Sequence, residues 1–315
     1  MFATVCSAFQ LRLNLLVGAA VAGLSALGGC ASNSGETFAT PGDASNAVVA
    51  ALRTDNQPEL TKIFGPDTQD ALSSGDDVAD KNSREAFLQK YDAKHQWVDG
   101  EEGSKILEVG DTDWPMPIPL VKSGGGWQFD LAAGKDEMLT RRIGHNELDA
   151  IQTLLAIGDA EDDYLDQRPQ GADEYASKFF SDPGQKNGLY WPVASGEQPS
   201  PLGELVAEAS GQGYTRSTDP ANAPKPYHGY AFRILTAQGP NAPGGQRSYM
   251  SNGKLTGGYA VVAYPFEYGK SGIMTFIMNQ QGVVYQRNLG ANTESIARGM
   301  TEFDPDLTWK VVDGE

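Results

Sequence analysis

The sequence predicts an α+β protein in which each half combines helices with its own antiparallel sheet. Three observations predict this class. Apolar residues at helical spacing dominate residues 43–95, and short apolar runs separated by turn residues follow up to residue 131. One long helical pattern then leads into a second set of short apolar runs within residues 227–312. Short runs joined by tight polar links favour hairpins, so both sheets are expected to be antiparallel.

The first thirty residues resemble a bacterial lipoprotein signal. Arg12 is their only charged residue, Leu13–Leu27 is apolar, and two glycines separate Leu27 from Cys30. In such signals the cysteine is lipidated, so Cys30 is the predicted lipidation site of a signal peptide spanning residues 1–30. A plain signal peptide and an N-terminal membrane anchor stay open, although the apolar stretch is short for a spanning helix, which needs about 20 residues.

This leader predicts export. Ala31 follows the cysteine, a pattern that does not favour retention in the inner membrane, so we expect the periplasmic face of the outer membrane, with a free periplasmic form as the alternative. Residues 31–41 are small and polar and are predicted to form a tether between the lipid and the folded body.

Charge and cysteine content limit the partners. The chain carries 41 acidic and 24 basic residues, a formal charge of −17, which becomes −18 without the leader because Arg12 is lost. Such a chain repels nucleic acid and anionic lipid surfaces, so no nucleic acid is expected and the membrane is contacted only through the lipid. Both cysteines, Cys6 and Cys30, lie in the leader, so the mature chain has no disulfide.

Residues 42–134 are predicted to form an N-terminal α+β domain. Its helices are expected at Asp43–Arg53, Pro58–Phe64 and Ser83–His95, with Ser83 as an N-cap. Its strands are expected at Lys105–Val109, Ile118–Lys122 and Gly126–Leu131. Helices followed by a curled antiparallel sheet resemble the NTF2-like architecture in the order of elements.

Residues 135–315 are predicted to form a C-terminal α+β domain that begins with a long helix. Its pattern covers Glu137–Gln167 with a break near Gly144, and Asn146 is a candidate N-cap. The predicted buried stripe consists of Leu148, Ile151, Leu155 and Tyr164. Asp159–Asp163 is interpreted as a solvated acidic turn.

Short helices and a four- to five-stranded antiparallel sheet are predicted to follow. The helices are expected at Ala172–Phe180, Leu202–Ala209 and Thr293–Met300. The strands are expected at Tyr227–Ala237, Val261–Ala263, Ile273–Met278, Val283–Tyr285 and Leu307–Val312. Asn279–Gly282 is a hairpin signal. The order resembles pilin and pseudopilin domains, but those carry a membrane helix where this chain has a leader and another domain.

Several segments resemble an exported bacterial family catalogued as domain of unknown function 2950. They are Asp113–Val121, Gly125–Leu148, Lys186–Pro192, Ser200–Val206, Pro226–Gly245 and Tyr259–Gly290. The resemblance implies export and a shared architecture. It implies no activity, cofactor or catalytic residue.

Motifs for catalysis fail on their context. The D-x-D-x-T string at Asp304–Thr308 has only seven residues after it, where a phosphotransferase needs a large domain. The chain has no G-x-S-x-G elbow and no H-E-x-x-H pair, and its three histidines, His95, His145 and His228, are widely spaced. No metal and no cofactor is therefore predicted.

Two function classes remain. The first is a non-catalytic binding or assembly module of the cell envelope, whose partner is an envelope protein or a glycan and whose candidate ligand-binding residues are Trp191, Tyr227, His228 and Tyr230. The second is a periplasmic hydrolase acting on cell-wall or polysaccharide substrates, with Asp111, Asp113 or His228 as acid or base. A pilus subunit is a third possibility. Two carboxylates in one aromatic cleft, one with a raised pKa, would favour the hydrolase.

Overall fold

The computed structural model describes residues 35–167, 174–215 and 225–312, and these residues belong to one compact unit. The predicted leader and Cys30 lie outside the described residues. The described helices are α1 (Pro41–Arg53), α2 (Gln57–Phe64), α3 (Thr68–Leu72), α4 (Asp77–Ala93), α5 (Leu131–Asp166), α6 (Gly203–Gly211) and α7 (Thr293–Gly299). Together with antiparallel sheets they confirm the α+β class.

The strands of the first half are β1 (His95–Asp99), β2 (Lys105–Val109), β3 (Trp114–Pro115), β4 (Leu120–Ser123) and β5 (Gly126–Phe129). Those of the second half are β6 (Tyr230–Leu235), β7 (Ala237–Gln238), β8 (Arg247–Ser248), β9 (Met250–Ser251), β10 (Lys254–Leu255), β11 (Ala260–Pro265), β12 (Met274–Asn279), β13 (Tyr285–Asn288), β14 (Glu302–Phe303) and β15 (Lys310–Val311).

The first sheet has the order β1-β2-β4-β5, with β3 also paired to β2. Its buried side chains, Leu107, Val109, Leu120 and Phe129, pack with α1 and α2 in one hydrophobic core. β2 matches the prediction, whereas α3, β1 and β3 were not predicted. The N-cap of α4 is Asp76 rather than Ser83, because the Asp76 carboxylate accepts hydrogen bonds from the first backbone N–H groups of the helix.

The described part of the predicted tether lies against this sheet. Phe38 pairs with Trp127 through two backbone hydrogen bonds of 2.7 and 2.8 Å, and its ring packs against the core. The Gln128 side chain donates to the Gly35 carbonyl. The chain therefore joins the folded body by residue 35, several residues before the predicted start at 42.

Helix α5 corrects the predicted long helix in three ways. It runs without a break through Gly144, and its N-cap is Asp130. Asn146 is buried in its middle and donates to the Ser271 carbonyl at 2.8 Å, so it is not a cap. The domain boundary placed between residues 134 and 135 falls within the first turns of α5.

The face of α5 that packs on the sheet matches the predicted stripe only in part. Tyr164 is buried and Ile151 packs against the core, as predicted, but Leu148 is 61% exposed and Leu155 is 44% exposed. Ala150, Leu154 and Ile157 are buried in their place. The small residues Ala150, Gly158 and Ala160 let the helix approach β11 and β12 closely. A search for large apolar side chains at helical spacing does not detect a buried face made of small residues. The acidic stretch at 159–163 is helical, not a turn.

The second large sheet has the order β15-β13-β12-β11-β6 and is antiparallel throughout. Side chains on one of its faces pack under α5, and those on the other pack with α7 and Trp309. The Gly282 N–H donates to the Asn279 carbonyl at 2.9 Å, which confirms the predicted turn between β12 and β13. Residues 174–180, the described part of the helix predicted at 172–180, are not helical. The helices predicted at 202–209 and 293–300 are confirmed as α6 and α7.

Within residues 35–167, 174–215 and 225–312, no helix has the length and apolarity needed to cross a membrane. The resemblances of the two halves to NTF2-like and pilin domains stay predictions.

Candidate functional site

Helix α5 presents one carboxylate to two histidines. His228 Nδ1 lies 3.1 Å from Asp149 Oδ2, and His145 Nε2, one helical turn before Asp149, lies 3.4 Å from the same atom. Neither contact has the alignment of a hydrogen bond to Asp149 Oδ2 among the described residues, so both are close approaches of an imidazole nitrogen to the carboxylate.

These contacts determine the charge of Asp149. Its burial alone would raise the pKa of the carboxyl group, but contact with His228 and the charges of His145 and His228 outweigh burial and lower it. Asp149 is therefore ionised at neutral pH. It supplies a negative charge beneath the histidines.

His228 occupies a two-residue turn with an uncommon backbone. Tyr227 and Tyr230 exchange backbone hydrogen bonds of 2.9 and 3.1 Å, and the residues between them, His228 and Gly229, have φ values of 49° and 72°. Two positive φ values in such a hairpin define a type I′ turn, and histidine is among the residues that tolerate this region best.

Gly229 is required by space as well as by backbone angle. A Cβ atom at this position would lie 2.5 Å from Asn146 Nδ2 and 2.9 Å from Ser271 Cβ. The turn is thus pressed onto α5 and the loop before β12. This contact fixes where the His228 side chain leaves the backbone.

Asp76 binds the same turn through its carboxylate. Its Oδ2 atom accepts hydrogen bonds from the Tyr214 hydroxyl at 2.9 Å and the Gly229 N–H at 3.2 Å, while Oδ1 caps α4 through Val78 and Ala79. The side chain is buried, so these bonds form in a weakly screened environment. One carboxylate therefore connects α4, the end of α6 and the turn.

Tyr214, Tyr227 and His228 form what we call the aromatic cluster. The ring centroids of Tyr214 and Tyr227 lie 5.0 Å apart and those of Tyr227 and His228 lie 4.3 Å apart, both edge to face. All three residues are half-buried, so part of each ring faces solvent. Burial, followed by the charges of Glu208 and Asp149, raises the pKa of Tyr227 to about 12.

Two of the four predicted ligand-binding residues lie elsewhere. Tyr230 is fully buried and donates its hydroxyl to the Met274 carbonyl at 2.9 Å. Trp191 is buried in the core under α5, with Lys186 Nζ 5.3 Å from its ring centroid. Tyr227 and His228 are the pair that the structure brings together at the surface.

The acidic residues considered for hydrolysis are exposed. Asp111 and Asp113 lie between β2 and β3, and Asp113 forms an ion pair of 2.6 Å with Lys94. Among the described residues, no serine, threonine or cysteine side chain hydrogen-bonds to His228. Likewise, no group of three His, Cys, Asp or Glu side chains in the described ranges has the arrangement of a metal site. The cluster thus combines aromatic surface with one oriented imidazole.

Sequence reasoning missed Asp76, Asp149, His145 and Tyr214. His145 and Asp149 are four residues apart in a helical pattern, which places them on one face, and the His-Gly pair between two tyrosines is a hairpin signal. Either signal points toward the site. Nothing local in the sequence indicates that Asp76 reaches Tyr214.

A shallow groove of about 290 Å³ lies apart from the aromatic cluster. Its lining includes Leu289, Ile296 and Trp309, with carboxylates at its rim. Asp304 is bound to Asn241 and Asp306 to Thr308, so these two carboxylates stabilise loops. Asp304 and Asp306 are the two aspartates of the D-x-D-x-T string that was rejected as a catalytic motif.

Comparison with known proteins gives one match. The model of the family described as "Protein of unknown function (DUF2950)" matches residues 35–312. No curated protein and no solved structure matches the chain. The matched range covers most of the sequence and contains every residue of the aromatic cluster, so the chain belongs to the DUF2950 family.

Proposed function

We propose that this protein is an exported, lipid-anchored module of the bacterial cell envelope that binds a partner without catalysing a reaction. The leader pattern ending at Cys30 supports export and anchoring. The aromatic cluster supports binding, and it is the observation on which this function depends.

The cluster has the properties of a preformed binding surface. Tyrosine rings offer rigid area with a polar tip, and Asp76 and the type I′ turn already hold them in place. Little conformational entropy is then lost when a partner binds, which favours affinity. Glu208 and the ionised Asp149 give the surface a negative edge.

The position and pKa of the carboxylates distinguish the binding module from the hydrolase. A hydrolase was expected to hold two of them in an aromatic cleft, one with a raised pKa. At the cluster, the pKa of Asp149 is lowered instead, and Asp111 and Asp113 are exposed. This pattern favours the binding module, whose partner is an envelope protein or a glycan, while the net charge of −17 disfavours nucleic acid.

Anchoring is tested by replacing the lipidated residue. In the wild type, mass spectrometry of the N-terminal peptide is expected to find a diacylglyceryl group on Cys30 and the protein in the outer-membrane fraction. Cys30→Ala is expected to remove the lipid and the outer-membrane location, with Cys6→Ala as the matched control. An unmodified Cys30 in the wild type would contradict the anchoring.

Binding is tested by crosslinking in cells, purification of the intact protein and mass spectrometry. Tyr227→Ala is expected to reduce co-purification of a recurrent partner at least tenfold. Tyr268→Ala is the control, because Tyr268 is also half-buried but hydrogen-bonds to Asn288 and lies outside the cluster. Equal recovery from both variants would contradict binding at the cluster.

One observation favours the hydrolase as a second candidate. His228 Nδ1 lies 3.1 Å from an Asp149 oxygen, the distance at which a carboxylate orients a general base. If this candidate is right, the wild type releases products from cell-wall or polysaccharide substrates, and His228→Gln abolishes this turnover. Absence of turnover in the wild type, with a partner still recovered, eliminates the hydrolase.

A further inference from the structure

β6 is the last strand at one edge of the second large sheet, so only one of its sides is paired with β11. Backbone groups on an antiparallel strand point alternately to either side. Tyr230 directs its groups away from β11, since it bonds with Tyr227. Thr236 does the same, since its N–H donates to the Thr301 carbonyl and its carbonyl accepts from the Tyr249 N–H.

By this alternation, Phe232 and Ile234 also point their N–H and C=O groups toward the open side. No described residue forms a backbone hydrogen bond with these four groups. Lys225, the residue that would face Phe232 if the hairpin continued, forms no backbone hydrogen bond with it. Phe232 and Ile234 are half-buried. Within the described residues, the edge thus holds two unpaired N–H donors and two unpaired C=O acceptors, at Phe232 and Ile234, between Tyr230 and Thr236, whose groups are paired.

The strand β6 itself carries none of the side chains that usually protect an open edge. Such edges are commonly short, or carry lysine or proline. β15, at the opposite edge, consists of two exposed residues, one of them Lys310. β6 has neither lysine nor proline, and its single charged side chain, Arg233, donates to the Ala297 and Arg298 carbonyls of α7 at 2.6 and 2.7 Å.

The unpaired groups define the chemistry of the occupant. A row of alternating donors and acceptors at strand spacing is matched by an extended polypeptide backbone. A second copy of this chain fits poorly, because antiparallel pairing of Phe232 with Ile234 of the copy places Arg233 opposite Arg233. A net charge of −17 on each copy adds repulsion.

We infer that the open edge of β6 takes up an extended segment of another protein as an additional strand. This inference rests on the proposed function and deepens it by naming the partner as a polypeptide rather than a glycan. The edge begins at Tyr230, which pairs with Tyr227 of the aromatic cluster, so the edge and the cluster form one continuous surface.

The first test is amide hydrogen exchange in the purified full chain without a partner. The amides of Phe232 and Ile234 are expected to exchange at least a hundredfold faster than those of Arg233 and Leu235, which point toward β11. Slow exchange at Phe232 and Ile234 would show that the edge is already paired within the chain and would overturn the inference.

The second test uses peptides selected from a random ten-residue library against the full chain. A selected peptide is expected to slow exchange at Phe232 and Ile234. In an extended peptide, every second N–H points toward β6 and the others point away. N-methylation of the amides that point toward β6 is expected to weaken binding at least tenfold, and methylation of the others is expected to be tolerated. Peptides that leave the amides of Phe232 and Ile234 unprotected, or that tolerate methylation of either set, would overturn the inference.

A variant supports the same test in cells. Ile234→Pro removes one outward N–H without removing a bond to β11, and Val311→Pro is the matched change on the opposite edge. Ile234→Pro is expected to reduce partner recovery tenfold or more, and Val311→Pro to leave it unchanged. If recovery depends on Tyr227 but not on Ile234, the binding module stands and the added strand is wrong.

Discussion

Two carboxylates on helix α5 lie in opposite environments. Asp149, near the middle of the helix, is partly exposed and contacts two histidines. Glu161, three turns later, is fully buried, and its Oε2 atom accepts a hydrogen bond from the Ala176 N–H at 2.8 Å. Its Oε1 atom has no partner among the described residues.

The two environments produce opposite charge states. Burial raises the pKa of Glu161 to about 8, so the carboxyl group is mostly protonated at neutral pH. At Asp149 the neighbouring histidines outweigh burial and lower the pKa. The comparison shows why the surface around Asp149 offers a charge to a partner, whereas the region around Glu161 functions as core.

The largest expected effect comes from Glu161→Gln. The unfolded chain releases the Glu161 proton near pH 4.5, while the folded protein keeps it until about pH 8. Wild-type stability is therefore expected to fall as pH rises through this window, by on the order of 5 kcal/mol, and then to level off. The variant should lack this slope, as chemical denaturation at pH 5, 7 and 9 would reveal.

The matched control is Asp163→Asn, two positions along the same helix and exposed. It should keep the wild-type slope. Parallel pH profiles for wild type and Glu161→Gln would contradict a buried, protonated Glu161.

A smaller loss is expected from Asp76→Asn. The amide nitrogen that replaces one carboxylate oxygen would face donors, either Tyr214 and Gly229 or the N-terminus of α4. Leaving buried donors unsatisfied is expected to cost about 2–3 kcal/mol. Denaturation at pH 7 measures this loss, and exposed Asp77→Asn should remain within about 0.5 kcal/mol of wild type. An equal loss in both variants would contradict the central position of Asp76.

Asp149→Asn is expected to destabilise the protein by roughly 1 kcal/mol at pH 6. Because the pKa of Asp149 is lowered in the folded state, its contribution is complete above the ordinary value of 3.8 and disappears as pH falls through the folded value. The difference from wild type should therefore vanish in acid. A difference that persists at pH 2 would indicate that packing, not charge, determines the effect, and exposed Asp159→Asn is the control.

The smallest effect is expected from Asp113→Asn. Its ion pair with Lys94 is exposed on both sides, and such pairs contribute little to stability. Neither stability nor partner recovery should change measurably. A loss of partner recovery would move the functional site toward β3 and revive the hydrolase prediction for Asp113.

The sequence predicted the fold class and most elements because their signals are local. Periodicity located α1, α2 and β2, and the residues at 279–282 located the turn between β12 and β13. The predicted buried face of α5 was right for Ile151 and Tyr164 and wrong for Leu148 and Leu155, because small residues contact much of the sheet. Gly144 is exposed and did not break the helix. A single glycine costs a helix only about 1 kcal/mol, and buried residues before and after it, Gly134 and Asn146, hold α5 in place.

The site could be predicted only in part. Tyr227 and His228 were named because aromatic residues in loops favour binding, but Trp191 and Tyr230 have the same composition signal and lie in the core. Asp76 and Asp149 reach the cluster from segments 152 and 79 positions away from His228 in the chain, and only tertiary structure brings them together.

The most direct test of this account compares two positions in living cells. An aromatic photo-crosslinking amino acid at residue 227 keeps a ring in the aromatic cluster. One at the exposed residue Val193 lies two positions after Trp191, which is in the core under α5. We expect a discrete crosslinked product from residue 227 and none from residue 193. A product from residue 193 alone would place the partner elsewhere and contradict the account.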